Sequence, residues 1–133
     1  MAKTFEYAAS LDGDGRLLAD GSPLEPGEAW TPEHLVLAGL MRCTLKSLRF
    51  HAERGGIVVR GSAAAEAVVS KRREDGRFAF VDIDCGLDVV LDPPLEGDRL
   101  TELLDLAERD CFVGASLTAK PRYEWRVNGA VVR

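Results

Sequence analysis

The feature that most constrains this chain is a stretch that starts as a helix and then offers no polar side. Thr31-Pro32-Glu33 combines an N-cap threonine, proline at the first helical position and an acid in the first turn. Leu35-Val36-Leu37-Ala38-Gly39-Leu40-Met41 follows, apolar at every angle around a helix. A polar face returns with Lys46, Arg49 and Glu53, and Gly55-Gly56 supplies a stop, so the helix is expected to run to about Arg54. A helix whose first half is apolar all round needs cover on every side.

The remaining segments are candidates to provide that cover. Phe5 to Ser10 and Arg16 to Leu18 flank the turn Asp12-Gly13-Asp14-Gly15 and read as an opening hairpin. Gly21 to Trp30, with Pro23 and Pro26, reads as an irregular crossover loop. Ile57 to Ser70 and Arg77 to Leu91 alternate like long antiparallel strands, joined at Glu74-Asp75-Gly76. After Pro93-Pro94, Asp98 is expected to cap a second helix carrying Leu100, Leu103, Leu104, Ala107 and Cys111 at spacings of three and four. Pro121 to Val127 is the closing strand.

Strands segregated from two helices describe an α+β protein in which a sheet wraps a central helix. One small sheet supplies too little cover for a helix apolar on all faces, so patterning points to a homodimer. The length of 133 residues suits a single domain over 1–133.

Charge and cysteine usage narrow the function. A net charge of −5 gives no general reason to approach nucleic acid, and Lys71-Arg72-Arg73, followed by Glu74 and Asp75, reads as a solvated hairpin end. Neither a secretory leader nor a membrane-spanning stretch is apparent, so a soluble cytoplasmic protein is expected. Three cysteines, widely spaced and without a CxxC pair, fit neither a secreted disulfide framework nor a zinc site. No metal and no cofactor is expected.

Cys43 lies in the middle of the apolar helix, a setting in which free cysteine is often just a small core residue. To act as a nucleophile it must be a thiolate, which burial opposes and which a mid-helix dipole does little to help. A cation is therefore required, with Arg16 and Lys46 as candidates. Cys111, at the end of the second helical stripe, would face the unfavourable end of that dipole and suits a resolving role better than an attacking one. Cys85 sits inside a strand and reads as inert, while His34 and His51 read as surface or structural.

Thr31 to Gly56, TPEHLVLAGLMRCTLKSLRFHAERGG, and Leu104 to Val127, LDLAERDCFVGASLTAKPRYEWRV, together resemble the OsmC/Ohr family. The Pro-Glu helix start, a cysteine ten residues after that Glu, the Ala-Glu-Arg-Gly-Gly end and a second cysteine after Ala-Glu-Arg carry the likeness. The resemblance implies an OsmC-like fold of antiparallel sheets wrapping central buried helices in an intertwined homodimer, with active sites at the interface. It implies that Cys43 attacks the terminal O–O bond of a peroxide and that Cys111 resolves the sulfenic acid as a disulfide. An external dithiol, typically a lipoyl group, would complete turnover. Glu33 matches the family acid that orients an arginine, for which Arg16 is the match. Where the family commonly has proline after the second cysteine, this chain has Phe112.

Composition around the cysteines suggests an apolar pocket of Leu40, Met41 and Phe112 that would favour organic hydroperoxides. Two other classes of function are weighed against the peroxidase. One is a non-catalytic or weakly active dimer that binds a small apolar or thiol-reactive ligand between subunits. The other is an adaptor whose surface matters more than its thiols.

Overall fold

A computed structural model describes residues 2–133. The chain divides into two compact units, Met1–His34 and Leu35–Arg133.

The first unit holds a three-stranded antiparallel sheet in the order β1-β2-β3, formed by Ser10–Leu11, Leu17–Ala19 and Ser22–Leu24. Its first turn is built by Asp12, whose Oδ1 accepts from the backbone N–H groups of Asp14 and Arg16, each at 2.9 Å. Two expectations are corrected here. Of Phe5 to Ser10 only Ser10 lies in a strand, and Ser22–Leu24, expected as loop, forms β3. Pro23 is compatible with that strand because β3 is at the edge of its sheet, where a missing N–H is tolerated.

Helix α1 spans Pro32–Arg54, as the capping signals indicate. The backbone N–H of His34 donates to Thr31 Oγ1 at 3.3 Å, and the N–H of Thr31 donates back to His34 Nδ1 at 3.2 Å. His34 thus takes the reciprocal place that glutamate usually fills in a capping box. At the other end Gly56 adopts φ +75. There the N–H groups of Gly56 and Ile57 bond the carbonyls of Glu53 and Ala52, both at 3.0 Å, which is the Schellman arrangement.

The second unit carries a four-stranded sheet in the order β4-β5-β6-β7, from Val58–Lys71, Phe78–Asp92, Arg122–Val127 and Ala130–Val131. The β4–β5 hairpin is antiparallel from Val58 opposite Asp92 to Lys71 opposite Phe78, with one irregularity at Val68/Val69. Within the expected α+β class, one pairing differs from the antiparallel expectation: β6 runs parallel to β5. Helices α2 (Gly97–Arg109) and α3 (Phe112–Ser116) lie between the two strands and form the crossover that a parallel pairing needs.

Alternation in β5 decides what the sheet covers. Ile83, Cys85, Leu87, Val89 and Leu91 are buried, while Asp82, Asp84, Asp88, Val90 and Asp92 are exposed. The buried set packs with Leu40, Leu48 and Ala52 of α1, Leu100, Leu103, Leu104 and Ala107 of α2, and Trp125 and Val127 of β6. Trp125 is wholly buried and donates its indole N–H to Glu108 Oε2 at 2.8 Å. Asp98, expected as the α2 cap, falls in the first turn instead, because Gly97 at φ +62 begins the helix after Glu96. Among the described residues, no helix is long and apolar enough to cross a membrane.

The left-handed backbone at Gly56 costs any side chain about 1 kcal/mol or more. Gly56→Ala is expected to lower unfolding stability by about that amount in urea titrations, whereas Gly55→Ala, which needs no positive φ, has the smaller effect.

Candidate active site

A single change in helix boundaries reshapes the site. Sequence periodicity carried the second helix through Cys111, but α2 stops at Arg109 and Cys111 becomes the N-cap of α3. Cys111 therefore stands at the favourable, donor-rich end of a helix rather than at its carbonyl end. The backbone N–H of Gly114 donates to Cys111 Sγ at 3.4 Å. The break is reinforced from α1, where His51 Nε2 lies 2.7 Å from Asp110 Oδ2. Arg109 and His51 both bind the Asp110 carboxyl and hold its pKa below the usual carboxylate range, Arg109 most strongly. His51 is thus a structural link, in keeping with its sequence reading.

Cys43 reaches the same place from α1. It is half-buried, whereas Cys111 is fully buried. Burial pushes the Cys43 thiol above its ordinary value. The backbone N–H of Val113 pulls it down, the adjacent Cys111 thiol raises it again, and the N–H of Phe112 lowers it. Within Leu35–Arg133, the groups that favour a Cys43 thiolate are thus the first N–H groups of α3. The sequence reading required a cation for this and did not anticipate backbone donors. Phe112, standing where the family commonly has proline, keeps the N–H that proline would lack.

The sequence-predicted residues divide by unit. In Leu35–Arg133, Cys43 and Cys111 are brought together, and Cys85 joins them: it is buried, interacts electrostatically with Cys111, and is pushed up to about 11, chiefly by burial. Lys46 is exposed on α1. In Met1–His34, Arg16 forms an ion pair with Asp12 at 2.9 Å and approaches Glu25 at 4.0 Å, and Glu33 is exposed in the first turn of α1. Of the expected apolar pocket, Leu40 is wholly buried in the core and Phe112 is 58% exposed, so these two do not share an open lining.

Three residues around the thiols went unnoticed in the sequence. Thr44 is fully buried, donates to the Leu40 carbonyl at 2.8 Å, and has its Oγ1 3.4 Å from Cys111 Sγ. Tyr123 stands opposite Cys85 in the β5–β6 register, with its hydroxyl beside Thr44 and Cys111. Burial, with the Cys111 charge next, pushes its phenol well above the ordinary value. Gly114 admits both, because a Cβ there would stand 2.7 Å from Tyr123 Oη and 3.5 Å from Cys111 Sγ. The available signal was alternation in β6: Tyr123, Trp125 and Val127 share the inward face, and an inward tyrosine needs a partner for its hydroxyl.

With the thiol pair and its donors located, the family can be compared. A family model described as OsmC-like protein matches residues 25–126. The chain belongs to the OsmC-like family. Among solved structures, an OsmC-like protein of unknown function from Vibrio cholerae superposes with TM-score 0.74 at 15% identity, covering 92% of this chain and 99% of that one. An organic hydroperoxide resistance protein OsmC from Legionella pneumophila gives TM-score 0.62 at 19% identity, covering 95% and 98%. One from Elizabethkingia anophelis gives 0.63 at 16%, covering 96% and 98%. At these identities the likeness establishes the OsmC-like fold. No curated protein matches the sequence.

In this OsmC-like chain the buried thiols make folding sensitive to alkali. Cys85 rises from an ordinary 9.0 to about 11, so between those values the unfolded chain has released a proton that the native state still holds. Stability is full below pH 9.0 and falls as pH rises towards 11, by up to about 1.4 kcal/mol per unit from this group. Cys85→Ala is expected to flatten that slope in denaturation midpoints measured across the window.

Proposed function

We infer that the chain is a thiol-dependent peroxidase that reduces organic hydroperoxides through a Cys43 sulfenic acid resolved by Cys111. The observation that carries this reading is the meeting of a half-buried cysteine and a fully buried one at the start of α3, where backbone N–H groups face the sulfurs. An attacking thiol needs access, and a resolving thiol needs only reach. Membership of the OsmC-like family, with fold relatives named as organic hydroperoxide resistance proteins, supports the same reaction class.

In the first step the Cys43 thiolate attacks the terminal peroxide oxygen. The S–O bond forms as the O–O bond breaks, and the departing alkoxide takes a proton to leave as the alcohol. In the second, Cys111 attacks the sulfenic sulfur; the S–S bond forms and the hydroxyl leaves as water. An external dithiol, a lipoyl group on this reading, then returns both cysteines to thiols. Arg16 and Glu33 take the parts that the family likeness assigns, a cation favouring the thiolate and the acid that orients it.

The rise of the Cys43 pKa with burial favours a second reading, a weakly active or non-catalytic dimer that binds a thiol-reactive or apolar ligand. Treatment of the reduced protein with one equivalent of an organic hydroperoxide, followed by peptide mass mapping, separates the two. The peroxidase gives a Cys43–Cys111 disulfide within seconds, a trapped sulfenic acid on Cys43 in Cys111→Ser, and slower oxidation with an upward-shifted pH profile in Arg16→Ala. Three unmodified thiols after minutes would sink it.

On the same reading the protein is a cytoplasmic homodimer. Leu35, Val36, Leu37 and Met41, apolar residues left half-buried on α1, are the surface a second copy would cover. Light scattering on the eluting protein is expected to give twice the 14.5 kDa chain mass, and a monomer at micromolar concentration would contradict it.

A further inference from the structure

Cys111 Sγ is fully buried, yet polar groups converge on it from three elements. Gly114 of α3 donates its N–H at 3.4 Å, Thr44 of α1 places Oγ1 at 3.4 Å, and β6 brings the Tyr123 hydroxyl beside both Thr44 and the sulfur. Tyr123 Oη and Cys111 Sγ lie 2.7 and 3.5 Å from the same point beside Gly114. A cysteine that merely fills core volume has no need of such partners.

Thr44 is the pivot of this cluster. Its hydroxyl proton goes to the Leu40 carbonyl at 2.8 Å, which leaves its oxygen free to accept from a protonated Cys111. Once Cys111 loses its proton, the Tyr123 O–H and the Gly114 N–H both have a negative sulfur to donate to. Hydrogen bonds to an ionised acceptor are about twice as strong as neutral ones, and most so where water is excluded. The cluster therefore holds the sulfur in one orientation, between groups fixed on three different elements.

We propose that Tyr123 and Thr44 are positioning residues for the resolving step, aiming Cys111 Sγ at Cys43. This rests on the peroxidase reading of the two cysteines and adds to it the residues that govern its second half. Cys111 gives up its proton, its sulfur bonds to Cys43 as the S–O bond breaks, and the hydroxyl departs with a proton as water. When an external dithiol attacks the disulfide at Cys43, Cys111 leaves as a thiolate into the same donors.

The test times the two halves separately in rapid-mixing experiments on the full chain, with tert-butyl hydroperoxide and, in parallel, with diamide, which links thiols without any peroxide. In Tyr123→Phe and Thr44→Val, oxidation of Cys43 is expected to keep its rate within about twofold. Closure to the Cys43–Cys111 disulfide should slow about tenfold or more. Thr44→Ser, which retains a hydroxyl, should restore most of the rate. Equal slowing of both halves, or no change in either, overturns the assignment, the first showing that the residues serve only the fold. Diamide closure that depends on Tyr123 in a protein inert to peroxide would sink the peroxidase reading and leave the assignment standing. Absence of the disulfide with either oxidant overturns both.

Discussion

The structure of Leu35–Arg133 depends on one stripe of α1. Leu40, Thr44, Leu48 and Ala52 recur every four residues, and all four are buried against the sheet and α2. A stripe of that spacing fixes the rotation of the helix about its axis. Everything chemically relevant on α1 follows from that rotation. Thr44 is carried into the core, where its hydroxyl meets the Leu40 carbonyl and Cys111. Cys43, one position away around the helix, is left on the rim, half-buried and facing the start of α3.

The other thiol is placed by a helix that ends early. Had α2 continued through Cys111, the sulfur would have met helix-end carbonyls; by stopping at Arg109 the chain presents the N–H groups of a helix start instead. Asp110, tied to Arg109 and to His51 of α1, fixes the corner. Thiolate chemistry in an apolar interior is opposed by desolvation, and backbone amides are donors that add no charge of their own to the core. Cys85 and Cys43 feel this balance differently. Cys85, inside a strand, is raised to about 11 chiefly by burial. Cys43 is raised by burial but pulled back by Val113 and Phe112.

The hydroxyls of Thr44 and Tyr123 complete a polar island inside the core. Such an island is costly unless its members satisfy one another, and here Thr44 donates to the Leu40 carbonyl while Cys111 Sγ has Thr44 Oγ1 and the Gly114 N–H beside it. Ser47 is the contrast: it is buried on α1 without a hydrogen-bond partner among the described residues. Gly114 belongs to the island by omission, since any Cβ would collide with the Tyr123 hydroxyl at 2.7 Å.

Much of this was legible in the chain. The bounds of α1, the long β4–β5 hairpin and the inward face of α2 came from local signals: caps at Thr31 and Gly56, period-two alternation, and leucines at spacings of three and four. The likeness to the family singled out Cys43 and Cys111. Hidden from the sequence were the strand Ser22–Leu24, the parallel direction of β6, the break at Asp110 and the roles of Thr44 and Tyr123. The division has a physical cause. Propensity, capping and periodicity act over a few residues, so the sequence by itself determined which segments are helix or strand and which side of each is apolar. The environment of a sulfur depends on groups distant along the chain, Thr44 and Cys111 being 67 residues apart. Only tertiary packing, by deciding which of them meet and where a helix must break to let them, could set it.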